Sequence, residues 1–189
     1  MRGGPIKFDT LGELRALIQR YLEAHDNNDV ETQRAVLGAL IEDEREAYKR
    51  KLELLAKLKI LMERTRTAGQ TRQRVSHLIE AFKFAANLRS IGYDELDDKE
   101  TGDKATDAGI ETAKALKAIN PKGLSALVGL LDDLSVSVRG FAAVQLLDDI
   151  PERAIPVIQE VEETARGSAA GFAAHFGLLQ YRSEREQKR

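Results

Sequence analysis

The side chains that carry most enzyme chemistry are thinly spread along this chain. It has three histidines and no cysteine in 189 residues, which removes thiol nucleophiles, disulfides and thiolate metal sites together. His25, His77 and His175 have no mutual spacing, whereas a helical metal pair wants two histidines at i and i+4. Ser76 and His77 are neighbours, but adjacent side chains on a helix point apart and make no nucleophile and base. The run from Asp94 to Asp103 suggests a calcium loop, and starting it at Asp97 puts Gly102 at the sixth position. Lys99 then falls third and Ala108 twelfth, where a bidentate carboxylate is needed, so the ligand set fails. No glycine pattern that would cradle a phosphate is present. The expectation is a non-enzyme, with no catalytic residue, no cofactor and no metal.

What survives is charge. Between Arg45 and Arg74 bases outnumber acids, through Lys49, Arg50, Lys57, Arg64, Arg72 and Arg74 among others. Between Asp94 and Glu111 the balance reverses, through Asp94, Glu95, Asp97, Asp98, Glu100, Asp103 and Asp107. Each patch is either a solvated helix face or a site where a partner of opposite sign is recognised, complementarity there raising the on-rate and excluding wrong partners. The acidic segment is expected to carry the specific contact with another protein, because it holds more charge than a connector requires. The basic stretch is the alternative, as a binder of nucleic-acid backbone, although apart from Tyr48 no aromatics interleave with it for base stacking. A net charge of −2 excludes a globally basic nucleic-acid binder. No apolar run approaches the roughly 18 residues of a membrane span, and the N-terminus shows no apolar signal segment. A cytoplasmic protein without a membrane partner is expected.

Helices must position these patches. Apolar residues recur at three and four, with no sustained alternation at two, so an all-α chain of at least seven helices is predicted. The composition is 42% hydrophobic but only 5% aromatic, so the core must be built from Leu, Ile, Val and Ala. Thr10 and Glu13 form a capping box for a first helix, with Leu11, Leu14, Leu17, Ile18, Tyr21 and Leu22 on one face. Asp29 starts a long charged helix to about Arg64, with Val36, Leu37, Leu40, Ile41, Tyr48, Leu52, Leu55, Leu58, Leu61 and Met62 along one side. The two make an N-terminal helical hairpin over residues 1–70, bounded by Thr67-Ala68-Gly69. A third helix from Val75 ends near Ile91-Gly92, Tyr93 to Asp107 is a loop or frayed helix start, and Ala108 to Ile119 is helical. Asn120 then caps the next helix, with Pro121 at its first position.

From Pro121 the chain says nearly the same thing twice. Pro121-Lys-Gly-Leu-Ser-Ala-Leu-Val aligns with Pro151-Glu-Arg-Ala-Ile-Pro-Val-Ile, and Gly140-Phe141-Ala-Ala with Gly171-Phe172-Ala-Ala, at offsets of 30 and 31 residues. A period near thirty with two apolar helical stripes is the signature of stacked helix pairs. The pairs are expected at 121–131 with 136–147 and at 151–165 with 168–181, before a charged tail, 182–189, that frays. Phe141 and Phe172 hold matching positions and are expected to be equivalent and buried.

The segment from Leu131 to Leu147 resembles the second helix of a HEAT repeat: an acidic turn at Asp132 or Asp133, Val138-Arg139, the small pair Ala142-Ala143, then Leu146. The resemblance implies that the aspartate caps a helix, that the arginine bridges to a neighbouring turn, and that the alanines let helices approach. More narrowly, residues 75–181 look like a small bacterial family of HEAT-like domains of unknown function. In the second copy Val138-Arg139 becomes Ala169-Ala170 and the acidic turn becomes Arg166-Gly167-Ser168, which reads as a terminal cap. The expected architecture is a HEAT-like α-α superhelical repeat over 71–181. It implies a protein-binding module of a bacterial cytoplasmic protein, of the size of an immunity-type or regulatory binder of a toxin or enzyme.

Overall fold

Caps and breakers open and close the helices largely where the sequence asks for them. In the computed structural model, which describes residues 20, 23–24, 27, 29–69 and 71–187, Asp29 is the first such cap. Its carboxylate accepts from the Thr32 amide at 3.1 Å and from the Thr32 hydroxyl at 2.6 Å, satisfying an otherwise orphaned donor. That cap opens α1 (Val30–Thr67), which is followed by α2 (Thr71–Ser90), a π-helical turn (Ile91–Glu95) and α3 (Lys99–Ala118). Next come α4 (Lys122–Gly129) with a 3-10 turn (Leu130–Asp132), then α5 (Val136–Gln145), α6 (Pro151–Thr164) and α7 (Ala169–Gln187). The fold is all-α, with seven α-helices and no strand among the described residues. The helix expected from Thr10 to Leu22 lies almost wholly outside the described residues.

The chain divides into two compact units, Met1–Glu53 and Leu54–Arg189, and the division falls inside α1. In the first unit Val36 is buried, whereas Tyr48 and Leu52 are exposed, so the apolar stripe read along α1 is not buried throughout. In the second unit α2 is buried on two sides. Leu78, Phe82 and Ala86 enter the main core with residues of α3 to α7, while Ala81, Ala85 and Leu88 pack with Leu58, Leu61 and Met62 of α1 and Ala105 and Ala108 of α3. The alanines at these contacts let helix axes approach closely, which is what the small-residue composition provides.

Of the predicted pairs, α6 packs against α7, whereas α4 packs on α3 and α2 and meets α5 through the 3-10 turn that follows it; α5 packs against α2, α3, α6 and α7. Phe141 on α5 therefore stands in the middle, 6% exposed and stacked on Phe82 with ring centroids 5.3 Å apart. Its ring edge lies where a Cβ on Gly109 would be, so α3 needs glycine there. Phe172 does not repeat this environment. It is 58% exposed, because the helices packed against α7 cover the face that carries Ala170, Ala174, Leu178 and Tyr181. The expected burial holds for Phe141 and fails for Phe172.

Three other expectations change. α3 begins at Lys99, more than two turns before Ala108, so of the two alternatives for Tyr93 to Asp107, a loop or a helix start, most of the segment is helix. Asn120 caps nothing and Pro121 occupies the capping position itself, without a side-chain cap bond. The chain turns too tightly there for a spacer: the Gly123 amide donates to Ile119 O at 2.6 Å, and the missing Cβ of Gly123 admits the Leu116 carbonyl. The tail does not fray at Arg182, since α7 continues to Gln187.

The turn entering α5 is the polar joint of the second unit. Ser135 is the N-cap, accepting from the Val138 amide at 3.4 Å, while Asp133 accepts from the Ser135 amide at 2.9 Å. Along α2, Lys83 pairs with Asp133 (2.6 Å), Asn87 accepts from Ser135 (2.7 Å), and the Ser90 and Ser137 hydroxyls share a bond (2.8 Å). Arg139 donates back to Asp133 O at 2.8 Å and forward to Glu160 of α6 at 3.0 Å.

Two outcomes follow from this packing. Phe141→Ala is expected to destabilise the protein by about 3–5 kcal/mol and Phe172→Ala by less than about 0.5 kcal/mol, both read by chemical denaturation. Burial pushes the Asp133 carboxyl up, but the bonds from Lys83 and the Ser135 amide outweigh it, so its pKa lies below the usual 3.8. A depressed native pKa stabilises above the unfolded value and stops doing so as pH falls through the native one. Asp133→Asn should therefore be less stable than the parent at neutral pH, and the gap should close as pH drops below the ordinary carboxyl range.

Candidate functional site

The acidic segment is folded around glycine contacts. Gly92 in the π-turn lies against Gly102 in the first turns of α3, where a Cβ would sit 2.7 Å from the Gly102 amide. Gly102 in turn lies under the Tyr93 ring, at 2.5 Å for a would-be Cβ. Asp97 reverses the chain between the two elements with φ at 46°, a left-handed conformation that aspartate tolerates better than most residues. Asp98 donates its amide to Gly92 O at 2.8 Å, and its carboxylate accepts from the buried Thr101 hydroxyl. Glu100 pairs with Lys104 at 2.6 Å.

Asp103 accepts from Tyr93 at 2.5 Å and from Lys99 at 2.7 Å, and these bonds hold its carboxyl below the usual range. Burial and the Asp103 bond push the Tyr93 phenol up. Asp94 reaches furthest, accepting from the Ala169 amide at 2.8 Å. The first amides of α7 are thus divided between Asp94 and Ser168, whose hydroxyl accepts from Gly171 at 3.3 Å. Arg89 lies between the Tyr93 and Phe141 rings, 5.7 and 5.6 Å from their centroids, and donates to Ala169 O at 3.3 Å. Burial lowers its pKa, opposed by Tyr93 and Asp94. Glu95 and Asp107 are exposed.

Most of the acids singled out by charge therefore hold the π-turn, α3 and the start of α7 together. Because α3 is already helical at Lys99, Gly102 is not a loop glycine, which adds a backbone reason to the failed calcium ligand set. Among the described residues no group of three or more His, Asp or Glu is arranged to hold a metal ion. His175 pairs with Glu162 at 2.7 Å, and His77 sits 3.4 Å from Arg64 O. The basic residues divide between units. Lys49 and Arg50 belong to the first, and Lys57, Arg64, Arg72 and Arg74 to the second, all exposed. Lys57 lies 4.7 Å over the Phe84 ring, an interaction with its own fold.

Composition and charge both missed the feature that stands out on the surface. Phe172, Phe176 and Leu179 are 58%, 62% and 46% exposed, at a spacing of four and three that aligns them on one face of α7. The opposite face buries Ala170, Ala174, Leu178 and Tyr181. Depressions of about 430 and 270 Å³ flank Phe172, one lined by Arg89, Tyr93 and Ala169, the other by Arg166, Gly171 and His175. The signal was present in the sequence: this helix carries two apolar stripes and needs only one to pack.

Asp94→Ala is expected to cost about 1 kcal/mol, as the loss of a helix-end acceptor does. Amide exchange should quicken at Ala169, while Asp107→Ala leaves stability unchanged. Equal effects of the two substitutions would contradict the role given to Asp94.

Against known protein families, curated proteins and solved structures, this chain finds no match.

Proposed function

We propose that this chain is a non-enzymatic protein-binding module, a HEAT-like superhelical stack of helix pairs that docks its partner on the outer face of α7. The observation that carries the reading is the stripe of Phe172, Phe176 and Leu179. Stacked helical repeats close with a polar outer face because an apolar one would associate, and contiguous exposed apolar residues mark interaction sites. Here α7 turns two phenylalanines and a leucine outward, beside depressions into which partner side chains fit. The HEAT-like part of the reading is supported by Arg139, which ties its own acidic turn to Glu160 of the following pair. The internal duties of Asp94, Asp98 and Asp103 favour the α7 face over the acidic segment as the contact.

Phe172→Asp with Phe176→Asp should weaken capture of a protein partner at least about tenfold, as loss of central aromatic anchors does, with helicity unchanged by circular dichroism. Lysine at Asp97 and Asp107 should leave capture intact. Capture that survives the first pair and fails with the second would return the contact to the acidic segment. Retention of nucleic acid that collapses between low and moderate salt would favour the basic helix instead.

A further inference from the structure

We infer that the occupant of the α7 face is a second copy of this chain, pairing α7 with α7 antiparallel about a twofold axis. The inference rests on the reading of that face as a docking surface and adds the identity of what docks. Its support is the order of charges along the stripe, which complements itself in the antiparallel sense. Arg166 stands just before α7 and Glu186 near its end, both exposed. On one edge of the stripe, Glu162 is held beside His175 by a 2.7 Å bond, and Arg182 follows two turns later on that same edge.

With Phe176 opposite the partner's Leu179, Phe172 falls opposite the partner's Ser183. Arg182 then falls opposite the partner's Ala173, within a turn of the partner's Glu162. Glu186 reaches the amide end of the other helix, beside the partner's Arg166. Each complement occurs twice, as twofold symmetry requires, and the two helix dipoles oppose. A parallel pairing would instead set this edge of one helix against the opposite edge of the other, away from the partner's Glu162.

The size of the face sets the strength. The three side chains offer on the order of 300 Å² of apolar surface per chain, less than the roughly 800 Å² per partner of a standard interface. Polar residues along the 19-residue helix supply the rest, so association in the micromolar range is expected.

Sedimentation equilibrium of the whole protein from about 1 to 200 µM should show the mass rising from one chain to two. Phe176→Asp, an exposed position, should stay monomeric throughout with unchanged helicity. Arg182→Glu should weaken the dimer about tenfold or more, and adding Glu162→Arg should restore it. Because the chain has no cysteine, Phe172→Cys with Ser183→Cys should cross-link into a covalent dimer under mild oxidation, while Ser183→Cys alone should not. A parent protein that is monomeric at the highest concentration overturns the inference, and so does a dimer indifferent to Phe176→Asp or one cross-linked by Ser183→Cys alone. If the parent is monomeric yet Phe176→Asp loses capture of a different protein, the second copy is excluded and the docking face itself stands.

Discussion

The second unit hangs on the joint between α2 and the turn that enters α5. Lys83, Asn87 and Ser90 lie along one edge of α2 at helical spacing, and they meet Asp133, Ser135 and Ser137 in order. Ser135 and Asp133 satisfy amides at the start of α5, and the bonds from α2 hold those side chains and fix the direction of approach, which brings Phe141 onto Phe82. Arg139 extends the joint by one unit, because its planar guanidinium donates simultaneously to the turn behind it and the carboxylate ahead. A lysine offers a point charge and would not span both.

Around that joint the helices are brought close by the absence of side chains. A Cβ on Gly140 would sit 2.9 Å from Val161, and one on Gly177 equally close to Val144, so α5 meets α6 and α7 at glycines. With few aromatics available, close approach of small residues replaces bulk as the source of packing contact. α2 gains most, burying Leu78 and Phe82 on one side and Ala81 and Leu88 on the other. A helix buried on two sides shows weak amphipathic periodicity, and its central place in the fold was correspondingly hard to read from its pattern.

The acidic segment shows how a charge run misleads. Asp94, Asp98 and Asp103 are used as acceptors for a helix amide, a buried threonine and a tyrosine, and Asp97 suits a left-handed turn. Carboxylates near the start of α3 also oppose its dipole favourably. Nothing in the order of these letters distinguishes such duties from solvated charge. The duty of Asp94 depends on Ala169, far along the chain, and is visible only once α7 has folded back.

The sequence by itself determined the helical class, the Asp29 cap and the length of α1, and the positions of the four helices that follow Pro121. These are local matters, governed by spacing, caps and breakers within a few residues. Tertiary structure alone decided the rest. It made Phe141 a core residue and left Phe172 outside, although the neighbouring letters are the same, because burial depends on which helices pack against that face. It also turned Phe172, Phe176 and Leu179 into one surface, because a helix with two apolar stripes reveals which one is spare only when its neighbours have chosen the other.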